Sequence, residues 1–511
     1  MCGIIAVVGG VPTERKKMVL TGLDYIAHRG EGYERSSVQE LSGAQVAIGV
    51  NRLPIVGGQS GAQPVISASG ALACLHNGEL YNFRALAETA GLPPRLSVSD
   101  TVVLTELLDR WGVERTLNEV RWEGAFLAVD TVSGTLIAAR DHLGIKPLYF
   151  AALPEVTVFA SELKALKSFK AQIKEVPAGV FVTIDVRHPS QIQMTTWWSV
   201  NKSFLLTPDR DPIEAFDDAV RTAIHSRVPE EPYAIMLSGG LDSSLVLQHA
   251  IARNPDVTAF VLHRPGSPDI DAARRLCLDL QVRLIEVEGL PPEELWKRAP
   301  EVVEIVESWE WHVVNHAAPM LPLVAAIADA GFRVVLTGEG ADELCFGYIE
   351  RNADGTPITG EAELAQRRRL RLAQIGRTNC PRLDRMLMKS TIECRVPFLD
   401  REVVETALSI LPKAHLRDGV PKAMLKEVAR RCLPNYVIDR PKMSLAKGAG
   451  YVYHRQHGGG AFAWNGKIEH VIGSDVEVSQ FPFRFELEQV LVEWFVELGY
   501  HQATFMRAAT V

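Results

Sequence analysis

The stretch Ala234-Ile235-Met236-Leu237-Ser238-Gly239-Gly240-Leu241-Asp242-Ser243-Ser244 most constrains what this chain can fold into. A short apolar run ending in a small-residue turn reads as a buried strand, and the residues after it begin a helix. A strand that feeds a helix through a tight turn is half of a βαβ unit, so the sheet around it is expected to be parallel. The Ser and Gly residues let backbone N–H groups approach an anion, and the helix N-terminus adds a favourable dipole. The string lacks the Lys-Ser/Thr ending of a Walker A loop. SGGxDS is instead the pattern of a loop that grips pyrophosphate when ATP is cleaved between its α and β phosphates. A Gly-rich turn with an aspartate helix cap is the plainer alternative.

Strand-like runs follow at Val257–Leu262, Arg283–Val287 and Arg333–Leu336 with helical stretches between them, the βαβ rhythm of a parallel sheet. Gly266-Ser267-Pro268-Asp269 lies just past one strand end, where open α/β sheets bind ligands, with a plain turn as the alternative. Leu336-Thr337-Gly338-Glu339-Gly340-Ala341-Asp342-Glu343 sets three carboxylates in a Gly-flanked turn. That arrangement suits a magnesium-bound nucleotide, a general base, or both, against a solvated acidic loop as the alternative. Lys442 is placed to neutralise a leaving pyrophosphate, although a lone surface lysine is common. From about residue 361 the chain reads as mostly helical, with a glycine-rich loop at His457-Gly458-Gly459-Gly460.

The N-terminal part is of another kind. Met1-Cys2 precedes the apolar run Ile4-Ile5-Ala6-Val7-Val8, so a buried strand starts at the terminus itself. Removal of Met1 would leave a residue that carries both a thiol nucleophile and an α-amine able to relay its proton. Short β-type runs continue at Gln45–Val50, Ala71–His76, Ala125–Asp130, Thr135–Ala139, Leu148–Ala151 and Val180–Ile184, with helical periodicity at Lys17–Ile26 and Thr101–Trp111. This predicts an α+β domain of packed antiparallel sheets over residues 1–205. Asp209-Arg210-Asp211-Pro212 reads as linker, and residues 206–511 form the α/β domain.

Composition narrows the partners. Of 511 residues, 47% are hydrophobic and 23% charged, the balance of a globular protein of two or three domains. A net charge of −8 argues against nucleic acid. No apolar stretch approaches the ~20 residues of a membrane span, and no basic n-region precedes an apolar one. Cys2, Cys74, Cys277, Cys345, Cys380, Cys394 and Cys432 are scattered and form no CxxC pair, which fits reduced thiols in a cytoplasm and gives no zinc signature.

Together these motifs resemble the glutamine-hydrolysing asparagine synthetase family over nearly the whole chain. The N-terminal half resembles its class II, N-terminal-nucleophile glutaminase, which has stacked antiparallel sheets between helices. The likeness rests on Cys2, His28-Arg29-Gly30, Arg52-Leu53-Pro54-Ile55, Gly61-Ala62-Gln63-Pro64, Asn77-Gly78-Glu79-Leu80-Tyr81-Asn82, Ser99-Asp100 and Arg140–Tyr149. It implies that Arg52, Glu79 and Asp100 hold the α-groups of glutamine, while Asn77 and Gly78 form the oxyanion hole. The C-terminal half resembles an ATP-pyrophosphatase synthetase domain, through the SGGxDS loop, the GEGADE turn, Glu393–Asp400 and Arg440-Pro441-Lys442. The implied ATP contacts are Leu237, Ser238, Gly239, Gly240, Asp242, Ser243, Ser267, Asp269 and Gly338, with magnesium at Asp242 and Asp342. The implied reaction activates a carboxylate as an acyl-adenylate, which ammonia released at Cys2 reaches through an internal tunnel, with Glu339 as base and Lys442 at the pyrophosphate. A homodimer is a further expectation of the family.

The chain departs from the family where the acceptor would bind. An ungapped comparison sets His312 and Asn315 on the family's Thr and Arg, ahead of Ala317-Ala318-Pro319-Met320. Loss of that Arg removes a bidentate carboxylate clamp, so free aspartate is not the expected acceptor. His312, His316, Trp309 and Trp311 imply a larger or less anionic pocket, or simply a packed helix. Phe346 replaces a family Gly and is expected to reshape the same wall. His28-Arg29-Gly30-Glu31-Gly32 likewise alters the family's HRGPD. The leading expectation is amide transfer to another carboxylate, in specialised metabolism such as antibiotic biosynthesis. The alternatives are intramolecular ring closure, as in the related β-lactam synthetases, asparagine synthesis itself, and a non-catalytic binding protein. The β-lactam synthetases typically lack the Cys and place Tyr at Glu339; this chain keeps both residues.

Overall fold

The apolar run at the terminus is a central strand. In the computed structural model, β1 (Cys2–Gly9) is buried along its whole length, and both of its edges are hydrogen-bonded to antiparallel neighbours. Those neighbours are β4 (Val46–Arg52) and β10 (Val156–Ala160). The structure describes residues 1–30, 34–35, 39–41, 45–169, 171–206, 210–348, 350–352, 355–451, 491–492 and 494–500. Glu31, Gly32, Asp209 and His457–Gly460, singled out above, lie outside them.

The first sheet is completed by β2 (Glu34–Arg35), β3 (Gln39–Leu41), β9 (Tyr149–Leu153) and β11 (Ile173–Glu175), in the order β11-β9-β10-β1-β4-β2 with β3 also on β4. The second sheet has the order β13-β12-β8-β7-β6-β5. Its strands are β5 (Val65–Ile66), β6 (Leu72–Leu80), β7 (Trp122–Asp130), β8 (Thr135–Arg140), β12 (Val180–Asp185) and β13 (Gln193–Thr196). Strand alternation decides the packing. Cys2, Ile4, Ala6 and Val8 join Leu75, Leu127, Val129 and Ala138 in one core between the sheets. Ile5 points the other way, its Cδ1 filling the space where a Cβ on Gly22 would stand, so helix Pro12–Tyr25 covers the outer face. Helix Asp100–Trp111 lies on β6, with Ser99 Oγ accepting the Val102 N–H (3.2 Å) as its cap. The result is the expected pair of antiparallel sheets between helices.

In the second unit β14 (Tyr233–Met236) is central to a five-stranded parallel sheet. On one side stand β15 (Val257–His263) and β16 (Arg283–Glu288), and on the other β17 (Val334–Leu336) and β18 (Glu393–Arg395). The chain steps outward from β14 to β16, then returns across β14 to form β17. The reversal between β14 and β17 is the topological switch point, and ligands of open parallel sheets bind past the strand ends there. The SGGLDS loop follows β14 and the GEGADE turn follows β17, so both sit at that point. The remainder is helical apart from β18 and short turns, including Glu361–Ile375 and Asn379–Met388.

The first unit ends at Ser199 and the second begins at Val200, rather than at the expected 205/206. Phe495 and the turn Val496–Tyr500 belong to the first unit although they lie far along the sequence assigned to the second domain.

Candidate functional site

Two sites are assembled, one in each unit. In the first, strand pairing sets Cys2 opposite Arg52. The Cys2 N–H donates to Asn77 Oδ1 (3.0 Å), and Arg29 Nε donates to the Cys2 carbonyl (3.0 Å). Asn77 Oδ1 also receives Arg29 Nη2 at 3.5 Å. With donors on its oxygen, the carboxamide turns Nδ2 the other way, where it is buried without a hydrogen-bond partner among the described residues. A buried orphan donor beside a nucleophile is what an oxyanion site requires before substrate arrives. Gly78 follows in β6, and a Cβ there would lie 2.2 Å from the Glu123 carbonyl oxygen, so no larger residue fits.

Burial pushes the Cys2 thiol up, against the N-terminal ammonium and Arg52, so the resting group is a thiol that needs a base. The residues expected to hold glutamine gather nearby. Arg52 Nη2 donates to the Gly58 carbonyl (2.6 Å), Glu79 is buried in β6, and Asp100 Oδ2 accepts the Leu80 N–H (3.3 Å). Two contributors did not stand out as site residues in the sequence. Gln63 Nε2 lies 3.6 Å from Cys2 Sγ, and the same carboxamide clamps both the C=O and N–H of His76 (3.0 and 2.7 Å). Arg29 pairs with the fully buried Glu162 (2.6 Å). Burial pushes Glu162 up, but His28, Lys164 and Arg29 outweigh it and hold the carboxyl well below its usual range.

In the second unit the strand ends surround a cavity of about 500 Å³. Leu237, Ser238, Asp242, Ser243, Asp269 and Gly338 line it, as do Glu339, Asp342, Glu343 and Lys442. The loop closes on itself: the Ser238 N–H donates to Ser243 Oγ (3.2 Å), and the Gly240 N–H donates to Ser238 Oγ (3.3 Å). Gly239 adopts φ +63°, which favours glycine, and backs onto Ala272 rather than the cavity. Gly240 lines a smaller neighbouring cavity of about 190 Å³ with Lys422, Lys426 and Arg440. Ser267 does not reach either cavity with its hydroxyl, which donates to the Gly448 carbonyl (2.7 Å). Its loop delivers Asp269 instead, held by Arg440 Nη2 (2.5 Å).

Asp242 and Asp342 meet across the switch point. Lys422 Nζ stands 2.5 Å from each, and Lys442 contacts Asp342. Burial pushes Asp342 up, yet Lys422 and Lys442 prevail and hold it below the ordinary value. Lys422 was not singled out in the sequence, where it reads as one more surface lysine. Asp242 Oδ1 is buried without a hydrogen-bond partner among the described residues. Two carboxylates, one with an unused oxygen, fit a magnesium ion whose other ligands come from phosphates and water. No larger His, Cys, Asp or Glu cluster suited to a metal occurs among the described residues.

The far wall of the large cavity differs from expectation. Helix Trp311–Ala317 presents His312, Val313 and His316, whereas Asn315 is buried outside the wall. Trp309 and Trp311 are buried outside it too, which is the packed-helix reading. Phe346 does not line the cavity: it takes φ +57°, lies under Arg368 (5.4 Å) and packs with Ile358 and Leu364. Tyr348, Arg371, Asn379 and Arg382 supply the wall in its place. Glu339 is tied on both oxygens, to Asn379 Nδ2 (2.6 Å) and Arg382 Nη2 (2.6 Å). Glu343 is pushed up to about 7 by burial and by the charges of Glu339 and Asp342.

Comparison with known proteins agrees with this division. The family model of the glutamine amidotransferase domain matches residues 1–202, and that of asparagine synthase matches 213–359 and 350–459. A probable glutamine-hydrolysing asparagine synthetase of Schizosaccharomyces pombe is 28% identical, covering 88% of this chain and 85% of its own length. Asparagine synthetase 2 of Arabidopsis thaliana is 28% identical over 88% of this chain and 79% of its own. Asparagine synthetase B of Escherichia coli is 28% identical over 95% and 88%. With one family model on each unit and full-length relatives spanning both, the chain belongs to the glutamine-hydrolysing asparagine synthetase family.

Proposed function

We propose that this chain is an ATP-dependent ligase that forms an amide with nitrogen taken from glutamine, on a carboxylate other than free aspartate. The Cys2 thiol, once Met1 is removed, gives its proton to its own α-amine and attacks the glutamine carboxamide. The tetrahedral oxyanion is received by Asn77 Nδ2 and the Gly78 N–H. Ammonia leaves, and water releases glutamate from the thioester. In the second unit the acceptor carboxylate attacks the α-phosphorus of ATP and pyrophosphate departs toward Lys442 and Lys422. Ammonia then displaces AMP from the acyl-adenylate, and Glu339 takes up the proton. Magnesium, held by Asp242 and Asp342, would neutralise charge on the phosphates.

The observation that carries this reading is the orphaned Asn77 Nδ2 beside Cys2, in a chain that also keeps the phosphate loop intact at its switch point. A relic glutaminase would have no reason to keep a buried donor unsatisfied. The test is a screen of carboxylic acids with ATP, magnesium and glutamine, following pyrophosphate, glutamate and product mass. One glutamate per pyrophosphate, with a product one mass unit lighter than its acid, supports amide transfer. Pyrophosphate without glutamate, with a product lighter by one water, points to ring closure and overturns it.

A further inference from the structure

We propose that the acceptor is a carboxylic acid whose remaining part offers a hydrogen-bond donor rather than a second carboxylate, and that His316 Nε2 is the atom that accepts from it. The proposal rests on the adenylation chemistry above and names the class of acid it serves.

The tautomer follows from the helix. His316 Nδ1 lies 2.6 Å from the His312 carbonyl oxygen, which can only accept, so Nδ1 carries the proton. Burial and the Arg382 guanidinium push the imidazole down to about 4, so the ring is neutral. Nε2 is left with a lone pair, in a ring that lines the cavity.

The charges on the same wall exclude the opposite choice. Arg382 is paired with Glu339 (2.6 Å), and Arg371 holds both oxygens of Glu350 (2.6 and 3.1 Å). Lys442 contacts Asp342, and His312 lies 3.5 Å from Glu310. Among the described residues, Arg382, Arg371 and Lys442 do not exceed the carboxylates beside them, and Glu343 adds one more acid. A second carboxylate on the acceptor would be desolvated there with no spare cation among the described residues, a costly arrangement. An amide, hydroxyl or ammonium donor has His316 Nε2 to meet, with Val313, Met320 and Leu323 for its apolar part.

The test is carboxylate-dependent ATP–pyrophosphate exchange by the full-length protein. A panel of acids is used, each beside the analogue in which a carboxylate replaces its amide: aspartic acid α-amide with aspartate, succinamic acid with succinate, and so on. The amide-bearing member of each active pair is expected to have at least tenfold higher kcat/KM. His316→Phe should raise KM for that member at least tenfold and leave KM for ATP unchanged. His316→Gln, whose side-chain oxygen still accepts, should keep the preference. Equal or better use of the dicarboxylate, or a preference that survives in His316→Phe, overturns the proposal. Exchange with no acid at all, in protein that still hydrolyses glutamine, overturns the adenylation reading itself and this one with it.

Discussion

At the scale of single residues, the glutaminase site is defined by what is left unpaired. Asn77 orients its carboxamide by accepting from Cys2 and Arg29, which leaves Nδ2 for the proposed oxyanion role. Asn77→Ala should therefore lower kcat for glutamine hydrolysis by about 10²–10³ with little change in KM, since such a donor acts in the transition state. Steady-state glutaminase kinetics check this, and a loss confined to KM would place Asn77 in ground-state binding. A second residue reports on stability. His415 is fully buried, and burial with Arg368 pushes its imidazole down to about 3. Native His415 stays neutral while the unfolded ring takes a proton below about 6.5, so its contribution is present above that pH and fades as pH falls toward 3. Between pH 7 and 5 wild type should lose about 2 kcal/mol more than His415→Gln, read by urea unfolding at the two pH values. Cys2, Asn77 and Asp242 were legible because few other roles use those types in those strings. Lys422 and Arg382 were not, because Lys and Arg are ordinary surface residues until the fold encloses them, and Gln63 was visible only as part of a motif with no role attached.

At the scale of elements, glycine marks where backbones approach. Gly78 pairs with Gly124 across β6 and β7, and an added Cβ would meet the Gly124 Cα at 2.5 Å as well as the Glu123 oxygen. Gly78→Ala must push the strands apart and is expected to cost about 1–3 kcal/mol. It would also displace the neighbouring Asn77. Lowered thermal unfolding together with lost glutaminase activity is the expected result, and unchanged melting would mean that the strands give way freely. Most of the long strands were readable because their buried faces alternate or run apolar over five residues or more, but β10, an interior strand of five buried residues, was not picked out. The edge strands β2, β5 and β13 were not, since two to four residues carry no period. Helix Pro12–Tyr25 starts earlier than its apolar pattern at Lys17 does, because its first turn is the polar Thr13-Glu14-Arg15-Lys16 after a proline start. Phe346 shows the limit of reading a wall from a substitution. The replacement for glycine was visible in sequence, but the side chain's direction follows from its left-handed backbone and its place under Arg368.

At the scale of the whole molecule, each unit carries the groups proposed for one half of the reaction. The thiol site draws on β1, β4, β6 and the start of helix Asp100–Trp111, all within the first unit. The phosphate loop, acidic turn and lysines lie within the second. Chemistry partitioned in this way predicts a crossed pattern of loss. Cys2→Ala removes the sulfur nucleophile but no group of the adenylating cavity, so it should abolish glutamine hydrolysis and leave synthesis from added ammonium largely intact. Asp242→Ala removes a carboxylate shared by Lys422 and the expected magnesium, so it should abolish carboxylate-dependent pyrophosphate release and spare basal glutamine hydrolysis. Both variants are measured for both half-reactions in the same preparations. Loss of both activities in Cys2→Ala would mean that the thiol site is needed to organise the second unit. Loss of both in Asp242→Ala would mean that the Asp242–Lys422 pair holds the first unit in its working form.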